Sequence, residues 1–258
     1  MGTRTRYEPG TFSWVELWTT DPDDAKRFYG ELFGWQTEGA SATATLSGQA
    51  VAAITAQPDR QRSAGVPPHW LSYVTVASAD DSATRAAELG GSVHAGPFDV
   101  GDAGRIAVVA DPTGSMLGLW EARGSIGAEL VNDPGCLTSN ELATDDIHAA
   151  SSFYRGLFGW SIEPVDTGGG PGYWVIHHDG AAQGRNGGMR ELSPVEEGVP
   201  SNWVPYFTAT SIDDTLARAG ELGGSTLVGA MEIPAGRFAA VRDPQGAAFS
   251  IFEGAVDD

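Results

Sequence analysis

Residues 13–19 (SWVELWT), a short run rich in aromatic and aliphatic side chains, read as a strand. Asp21 followed by Pro22 predicts a helix start, a carboxylate N-cap with proline in the first helical position. Phe28, Leu32 and Phe33 fall on one side of that helix, and Gly34 stands where a left-handed residue ends it. Residues 42–47 (ATATLS) and 49–56 (QAVAAITA) read as a hairpin. Residues 71–77 (LSYVTVA) predict another strand, and Asp80 opens a second helix that stops at Gly90 and Gly91. Residues 92–95, 105–110 and 116–122 predict three more strands. The order is strand, helix, strands, then the same again.

The whole pattern recurs. FYGELFGW (28–35) returns as FYRGLFGW (153–160), and EPGTFSWVELWTTD (8–21) as DPGCLTSNELATDD (133–146), both 125 residues on. WLSYVTVASADD (70–81) answers WVPYFTATSIDD (203–214), now 133 residues on. ELGGS recurs at 88–92 and 221–225, and GRIAVVADPTG (104–114) matches GRFAAVRDPQG (236–246). The widening offset places extra residues in the middle of the second half, around 166–172 and 177–188. We therefore expect a first domain over 8–123, a linker over 124–132 and a second domain over 133–255. FYxxLFGW reads first as structure, a helix core face plus its glycine stop. Trp70 and Trp203 have the opposite strand parity to Tyr73 and Tyr206, which predicts core positions under the helices.

Composition narrows the function classes. A chain of 258 residues with 41% hydrophobic residues, 35 Gly and 15 Pro suits two compact, turn-rich domains. A formal charge of −19 repels phosphate backbones and anionic lipid, so neither nucleic acid nor membrane is an expected partner. Cys136 is the one cysteine, which excludes a disulfide within the chain and a cysteine metal cluster. The start MGTRTRYEPG has no apolar leader pattern, and a cytoplasmic location is expected. Lys26 is the sole lysine beside many arginines, the codon signature of a high-GC bacterium.

The strand ending in Asp, the FYxxLFGW helix, the ELGG helix end and the DPxG turn resemble, in that order and twice over, the vicinal oxygen chelate superfamily of glyoxalases, bleomycin-resistance proteins and extradiol dioxygenases. The resemblance implies an α+β fold of four βαβββ units in two tandem domains, with cup-shaped mixed sheets and helices on the outside. It also implies where metal ligands would stand. The first, fifteen residues before the helix Tyr, maps to Trp14 and Ser139. The second, nineteen before the first Gly of ELGG, maps to Leu71 and Val204; the last, four beyond the Gly of DPxG, maps to Gly118 and Ser250. None is a normal metal ligand, so no metal and no cofactor is expected. Glu121 and Glu253 lie an odd number of steps from the ligand positions and point to the other sheet face.

Alternation puts Trp14, Glu16 and Trp18 on the face the lost ligand would occupy, and Ser139, Glu141 and Ala143 in the second half. Leu71 with Tyr73, and Val204 with Tyr206, share that face. Each half thus keeps one Glu and one Tyr. They either orient a ligand and move a proton, or tie down backbone groups or an arginine, with Arg105 and Arg237 the expected partners. Trp14 and Trp18 crowd the first cup, whereas Ser139 and Ala143 leave the second open. Glu141 and Tyr206 are therefore the leading catalytic candidates, ahead of Glu16 and Tyr73. Trp14, Trp18, Ser139, Val204, His177 and Arg237 are candidate ligand contacts. GGGPG (168–172) lacks the spacing of a phosphate loop and predicts a hairpin tip or lid over the second cup.

The expected function is metal-free binding of a small apolar or aromatic metabolite or antibiotic, of the sequestration or self-resistance type; an acidic surface also favours a cationic drug. One alternative is a metal-free tailoring enzyme using Glu/Tyr acid–base chemistry on an aromatic or polyketide-like substrate. Another is a metal-dependent glyoxalase-like lyase or dioxygenase drawing ligands from unmapped positions such as Glu16, Glu141 and His177. The expected assembly is a monomer, as a pseudo-dimer within one chain, or a weak homodimer.

Overall fold

The structure is a computed structural model that describes residues 2–39, 42–167, 172–180, 184–193, 196 and 198–256. The first half runs β1 (Phe12–Thr19), α1 (Pro22–Phe33), β2 (Gln36–Thr37), β3 (Thr43–Leu46), β4 (Gln49–Ala56) and a short α2 (Asp59–Ser63). It continues with β5 (His69–Thr75), α3 (Ala79–Glu88), β6 (Ser92–Val100), β7 (Gly104–Ala110) and β8 (Met116–Ala122). The second half repeats this as β9 (Leu137–Thr144), α4 (Ile147–Phe158), β10 (Ser161–Val165), β11 (Tyr173–His177) and β12 (Arg185–Glu191). Then follow β13 (Asn202–Thr208), α5 (Ile212–Glu221), β14 (Ser225–Ile233), β15 (Gly236–Arg242) and β16 (Ala248–Gly254).

Each half forms one eight-stranded mixed sheet, in the orders β2-β3-β4-β1-β5-β8-β7-β6 and β10-β11-β12-β9-β13-β16-β15-β14. The two βαβββ units of a half join by antiparallel pairing of β1 with β5, or of β9 with β13. Each cup is therefore built within one half. No helix among the described residues is long and apolar enough to cross a membrane.

The helices begin and end as their sequence dictates. The Asp21 carboxylate accepts from Asp24 N at 3.1 Å, Pro22 opens α1, and Gly34 closes it at φ +77°. At α3 the expectation needs correcting: Ser78, not Asp80, is the cap, its Oγ accepting from Asp81 N at 3.1 Å. Glu121 completes that end by accepting from Ala79 N at 3.0 Å, and Glu253 does the same for Ile212 N at 2.8 Å on α5. Both carboxylates point to the helix side of the sheet, as their parity requires.

The helices lie on the convex faces, outside the cups, and there the two halves meet. One core joins Phe28, Tyr29 and Trp35 of the first half to Phe207, Phe249 and Ile251 of the second. Its counterpart joins Phe153, Tyr154 and Trp160 to Val74, Val109 and Leu119. Polar atoms carry the same exchange. Trp35 Nε1 donates to Gly135 O and Trp160 Nε1 to Gly10 O, both at 2.8 Å. Tyr29 Oη donates to Asp243 Oδ2 at 3.1 Å and accepts from Trp70 Nε1 at 3.2 Å. Tyr154 accepts from Trp203 Nε1 at 2.8 Å and stands beside Asp111, whose Oδ2 makes no hydrogen bond of normal geometry. Burial raises the pKa of both tyrosines well above its ordinary value, and the neighbouring aspartate adds to the effect, so both hydroxyls keep their protons. The repeated FYxxLFGW is thus a reciprocal latch. Each copy packs a Tyr beside the DPxG turn of the opposite half, bonded to it in the case of Tyr29, and donates a Trp N–H to the Pro-Gly turn there.

Candidate binding sites in the two cups

In the first cup, Trp14 pairs with Tyr73, Glu16 with Leu71 and Trp18 with His69, all across the β1–β5 ladder. On the other side β4 sets Ala53 beside Glu16 and Thr55 beside Trp18. Glu16 Oε2 accepts from Tyr73 Oη and Oε1 from Thr55 Oγ1, both at 2.6 Å. The Tyr73 ring lies flat on Gly118, where a Cβ would come within 2.1 Å of it. Leu71, Tyr73 and Trp120 bury one another, with Trp14, Trp18, Ile106, Val108 and Met116 packed against them. Trp18 Nε1 points at the Tyr73 oxygen without closing a hydrogen bond of normal geometry. Burial raises the Tyr73 pKa well above its usual value, with the Glu16 charge adding to it.

In the second cup Ser139 pairs with Tyr206 and Glu141 with Val204, while β12 sets Gly188 beside Glu141 and Arg190 beside Ala143. Arg190 therefore occupies the register position that Thr55 has in the first cup. It also makes the equivalent bond, Arg190 Nε donating to Glu141 Oε1 at 2.9 Å. Tyr206 and Tyr173 also stand beside the Glu141 carboxylate, neither closing a hydrogen bond of normal geometry with it. Tyr173 reaches it over Gly188, whose Cβ would stand 1.9 Å from the Tyr173 hydroxyl. The first cup has Ala53 at that position, so its extra carbon closes the same route. The rest of the Arg190 guanidinium faces Glu196: Nη1 to Oε2 at 2.7 Å and Nη2 to Oε1 at 2.8 Å. Glu196 is held in turn by Ser193 N at 2.9 Å and Ser193 Oγ at 2.8 Å.

Burial pushes the Glu141 carboxyl above the usual carboxylate range, against the pull of Arg190 and Tyr206. The Arg190 fork holds Glu196 down to about 2. Two carboxylates on one guanidinium are thus driven apart, the half-buried one firmly ionised and the buried one readier to take a proton. Around Glu141 the walls remain half-exposed. Val204, Tyr206 and Phe252 are partly open where their first-cup counterparts Leu71, Tyr73 and Trp120 are buried, while Phe238 and its counterpart Ile106 are both partly open.

Most sequence-predicted residues lie where parity put them. Trp14, Glu16, Trp18 and Tyr73 share the first cup, and Ser139, Glu141, Val204 and Tyr206 the second. His177 shares the Tyr173 face of β11 at the strand's far end, opposite Ser161 and Arg185. Arg237 is a correction. It pairs with Glu253 on the convex face and bonds Asp213 at 3.1 Å and Glu232 at 3.2 Å, because its neighbour Phe238 takes the cup-facing parity. Arg105 is displaced for the same reason, bonding Asp80 at 2.6 Å and Asp99 at 3.0 Å. The room next to Ala143 is likewise partly taken, by Arg190. Arg190 and Tyr173 were missed by sequence reasoning. They lie in YWVIH (173–177) and RNGGMRE (185–191), segments at the edges of the expected insertion over 166–172 and 177–188. Residues 168–171 of the expected lid lie outside the described residues.

The fold family implies a metal at the mapped positions, and these residues do not fit one. The Tyr73 ring fills the space a ligand side chain at Gly118 would need, and each cup offers a single carboxylate already engaged by protein donors, two on Glu16 and one on Glu141. Among the described residues, no group of three His, Cys, Asp or Glu could hold an ion. Glu16 and Glu141 lie in separate sheets, so the unmapped set with His177 cannot converge either.

Comparison with known proteins accords with this architecture. The model of the Glyoxalase/Bleomycin resistance protein/Dioxygenase superfamily matches residues 11–119, and that of a glyoxalase-like domain matches residues 140–252. A Mycobacterium tuberculosis (strain CDC 1551 / Oshkosh) protein with the provisional name glyoxylase CFP32 is 40% identical, over 98% of both chains. The anthracycline biosynthesis protein DauV of Streptomyces sp. (strain C5) is 35% identical, over 96% of this chain and 95% of its own. The Mn(II)-bound glyoxalase of Novosphingobium aromaticivorans shares the fold at TM-score 0.66 with 14% identity, over 98% of this chain and 85% of that one.

Proposed function

We propose a binding function for the second cup, from the premise that this chain belongs to the glyoxalase/bleomycin resistance protein/dioxygenase superfamily. The ligand is a small, largely apolar aromatic metabolite. It rests against Val204, Phe238 and Phe252 and is anchored at the Glu141, Tyr173 and Tyr206 cluster. The observation that carries this reading is the asymmetry between the cups. The first packs its own aromatic residues against Tyr73, while the second leaves the equivalent wall half-exposed around a buried carboxylate. An exposed apolar wall with a few convergent polar groups is the usual make-up of a small-molecule site. A relative named for anthracycline biosynthesis supports an aromatic polyketide as the ligand class, and sequestration or self-resistance is the role such binding would serve.

The raised Glu141 pKa favours a second reading, acid–base tailoring of the same ligand class. Glu141 would take a proton from an acidic carbon or hydroxyl, with a tyrosine hydroxyl stabilising the charge that develops. Calorimetric titration with hydroxylated polycyclic aromatics tests binding, and product analysis of the same mixtures tests turnover. Glu141→Gln and Tyr206→Phe should each weaken binding by on the order of ten- to a hundredfold, the cost of about 1.5–3 kcal/mol for a lost charged hydrogen bond. Glu16→Gln and Tyr73→Phe should do markedly less. Loss of binding from the first-cup substitutions alone would refute the assignment.

A further inference from the structure

Arg190 stands in the second cup as a carboxylate fork that the chain fills with a side chain of its own. Its register position beside Ala143 turns it to the Glu141 face of the sheet. Nε donates to Glu141 Oε1 at 2.9 Å, which anchors the guanidinium on the strand side. Nη1 and Nη2 meet Glu196 Oε2 and Oε1 at 2.7 and 2.8 Å, the two-point geometry that matches a planar carboxylate. Nη1 has one further acceptor, Glu191 O at 3.3 Å. Glu196 comes from outside the sheet, on the segment that joins β12 to β13. The first half builds the same connection without a charge at either position. Gln57 N bonds Thr19 O and Gln61 N bonds Pro58 O, just as Leu192 N bonds Thr144 O and Glu196 N bonds Ser193 O. There Thr55 takes the place of Arg190, and Gln61 that of Glu196. The fold therefore does not need the Arg190–Glu196 pair to shape this connection, and the pair occurs in the half whose apolar wall is open. Its side chains are 28% and 27% exposed, so solvent reaches it and separating it costs little.

We infer that the Arg190 fork is the subsite for a carboxylate on the ligand, with Glu196 as its internal stand-in, displaced when the ligand enters. The exchange conserves charge: one carboxylate leaves the guanidinium, another takes its place, and Glu141 keeps its bond to Nε. A phosphate dianion would instead add a second negative charge beside Glu141, and a neutral phenol could not replace the anion that the fork gives up. The inference rests on the binding function proposed above and narrows its ligand to an aromatic carboxylate. Arg190 is the specificity-determining contact, and Glu196 competes with the ligand for it.

The test is calorimetric titration of the intact chain with 2-naphthoate, 2-naphthol and 2-naphthyl phosphate. Glu196→Gln removes the competing charge with little change of shape. It should tighten naphthoate by at least about tenfold, as expected when a charged hydrogen-bonding site is freed, and leave naphthol unchanged. Glu196→Asp keeps the charge on a shorter stem and should give a smaller gain. Arg190→Lys added to Glu196→Gln keeps a positive charge without the fork and should abolish the gain. Unchanged naphthoate affinity in both Glu196 variants would overturn the inference, while binding of naphthol or of the hydroxylated polycyclic aromatics would leave the binding function standing. An equal gain for all three probes would make Glu196 a steric cover. A phosphate gain as large as that of naphthoate would reduce the effect to overall charge, and either result overturns the carboxylate subsite. Failure of every probe and of the polycyclic aromatics to bind any variant would remove the binding function itself, and the inference with it.

Discussion

Tyr29→Phe tests the latch between the halves with the least disturbance of shape. The phenol is fully buried, and its oxygen both accepts from Trp70 Nε1 and donates to Asp243 Oδ2. Removing that one atom keeps the ring packing against Trp35, Trp70 and Phe249 but strands two buried groups. Asp243 Oδ1 keeps its bonds from Gln245 N, Gly246 N and Ala247 N, so only Oδ2 is orphaned there. Each stranded group costs about 1–3 kcal/mol, and the pair about 3 kcal/mol. That is a large share of an ordinary folding stability of about 5–15 kcal/mol and lowers the melting temperature by about 6–12 °C. Urea titration followed by circular dichroism gives the value directly, with the slope unchanged. A double-mutant cycle with Asp243→Asn should show coupling of at least about 1 kcal/mol. Tyr154→Phe should cost less, because Asp111 Oδ2 has no normal hydrogen bond to lose. A loss below about 0.5 kcal/mol for Tyr29→Phe, or strict additivity with Asp243→Asn, would refute the latch.

Other consequences follow from the second cup. Glu141 has a raised folded-state pKa, so the native state binds the extra proton and stability falls as pH rises from the usual carboxylate value through the raised one; Glu141→Gln should flatten that fall in unfolding free energies measured from pH 4 to 8. Glu196 has the opposite sign. Its stabilisation is present above the usual 4.5 and is lost as pH falls toward about 2, so Glu196→Gln should remove part of the acid limb. Arg190→Met leaves a buried carboxylate without its counter-ion and should cost about 2–3 kcal/mol, somewhat less than the about 3–5 kcal/mol of a fully buried pair because the guanidinium is 28% exposed. Adding Glu141→Gln should restore most of that loss in chemical denaturation. Protein purified without chelators should carry no stoichiometric transition metal, and about one tightly held Fe, Ni, Zn or Mn per chain in elemental analysis would revive the metal-dependent alternative.

Local period was enough to read much of this molecule. The two-residue alternation in β1 put Glu16 on the Tyr73 face, and the same rule put Glu141 with Tyr206, because a strand's pleat assigns faces whatever sheet it joins. It also placed Trp70 and Trp203 in the core, and the Asp-Pro and Gly signals located α1. The duplication was legible as repeated words. Tertiary structure decided what a period cannot encode: which distant element each face meets. FYxxLFGW reads as a helix with a buried stripe, yet its Tyr and Trp bind turns 214 and 100 residues away in the other half. That choice belongs to two convex surfaces packing on each other, not to either helix. Arg190 and Tyr173 escaped because they lie where the offset between the halves changes, and the residue at the register position of Arg190 in the first half is Thr55, whose different chemistry did not mark it. Their role appears only when β11 and β12 pair across Gly188 and bring both side chains to one carboxylate. Arg237 shows the converse. A suitable charge beside the right motif was not enough, because one step of strand parity turned it to the helix side.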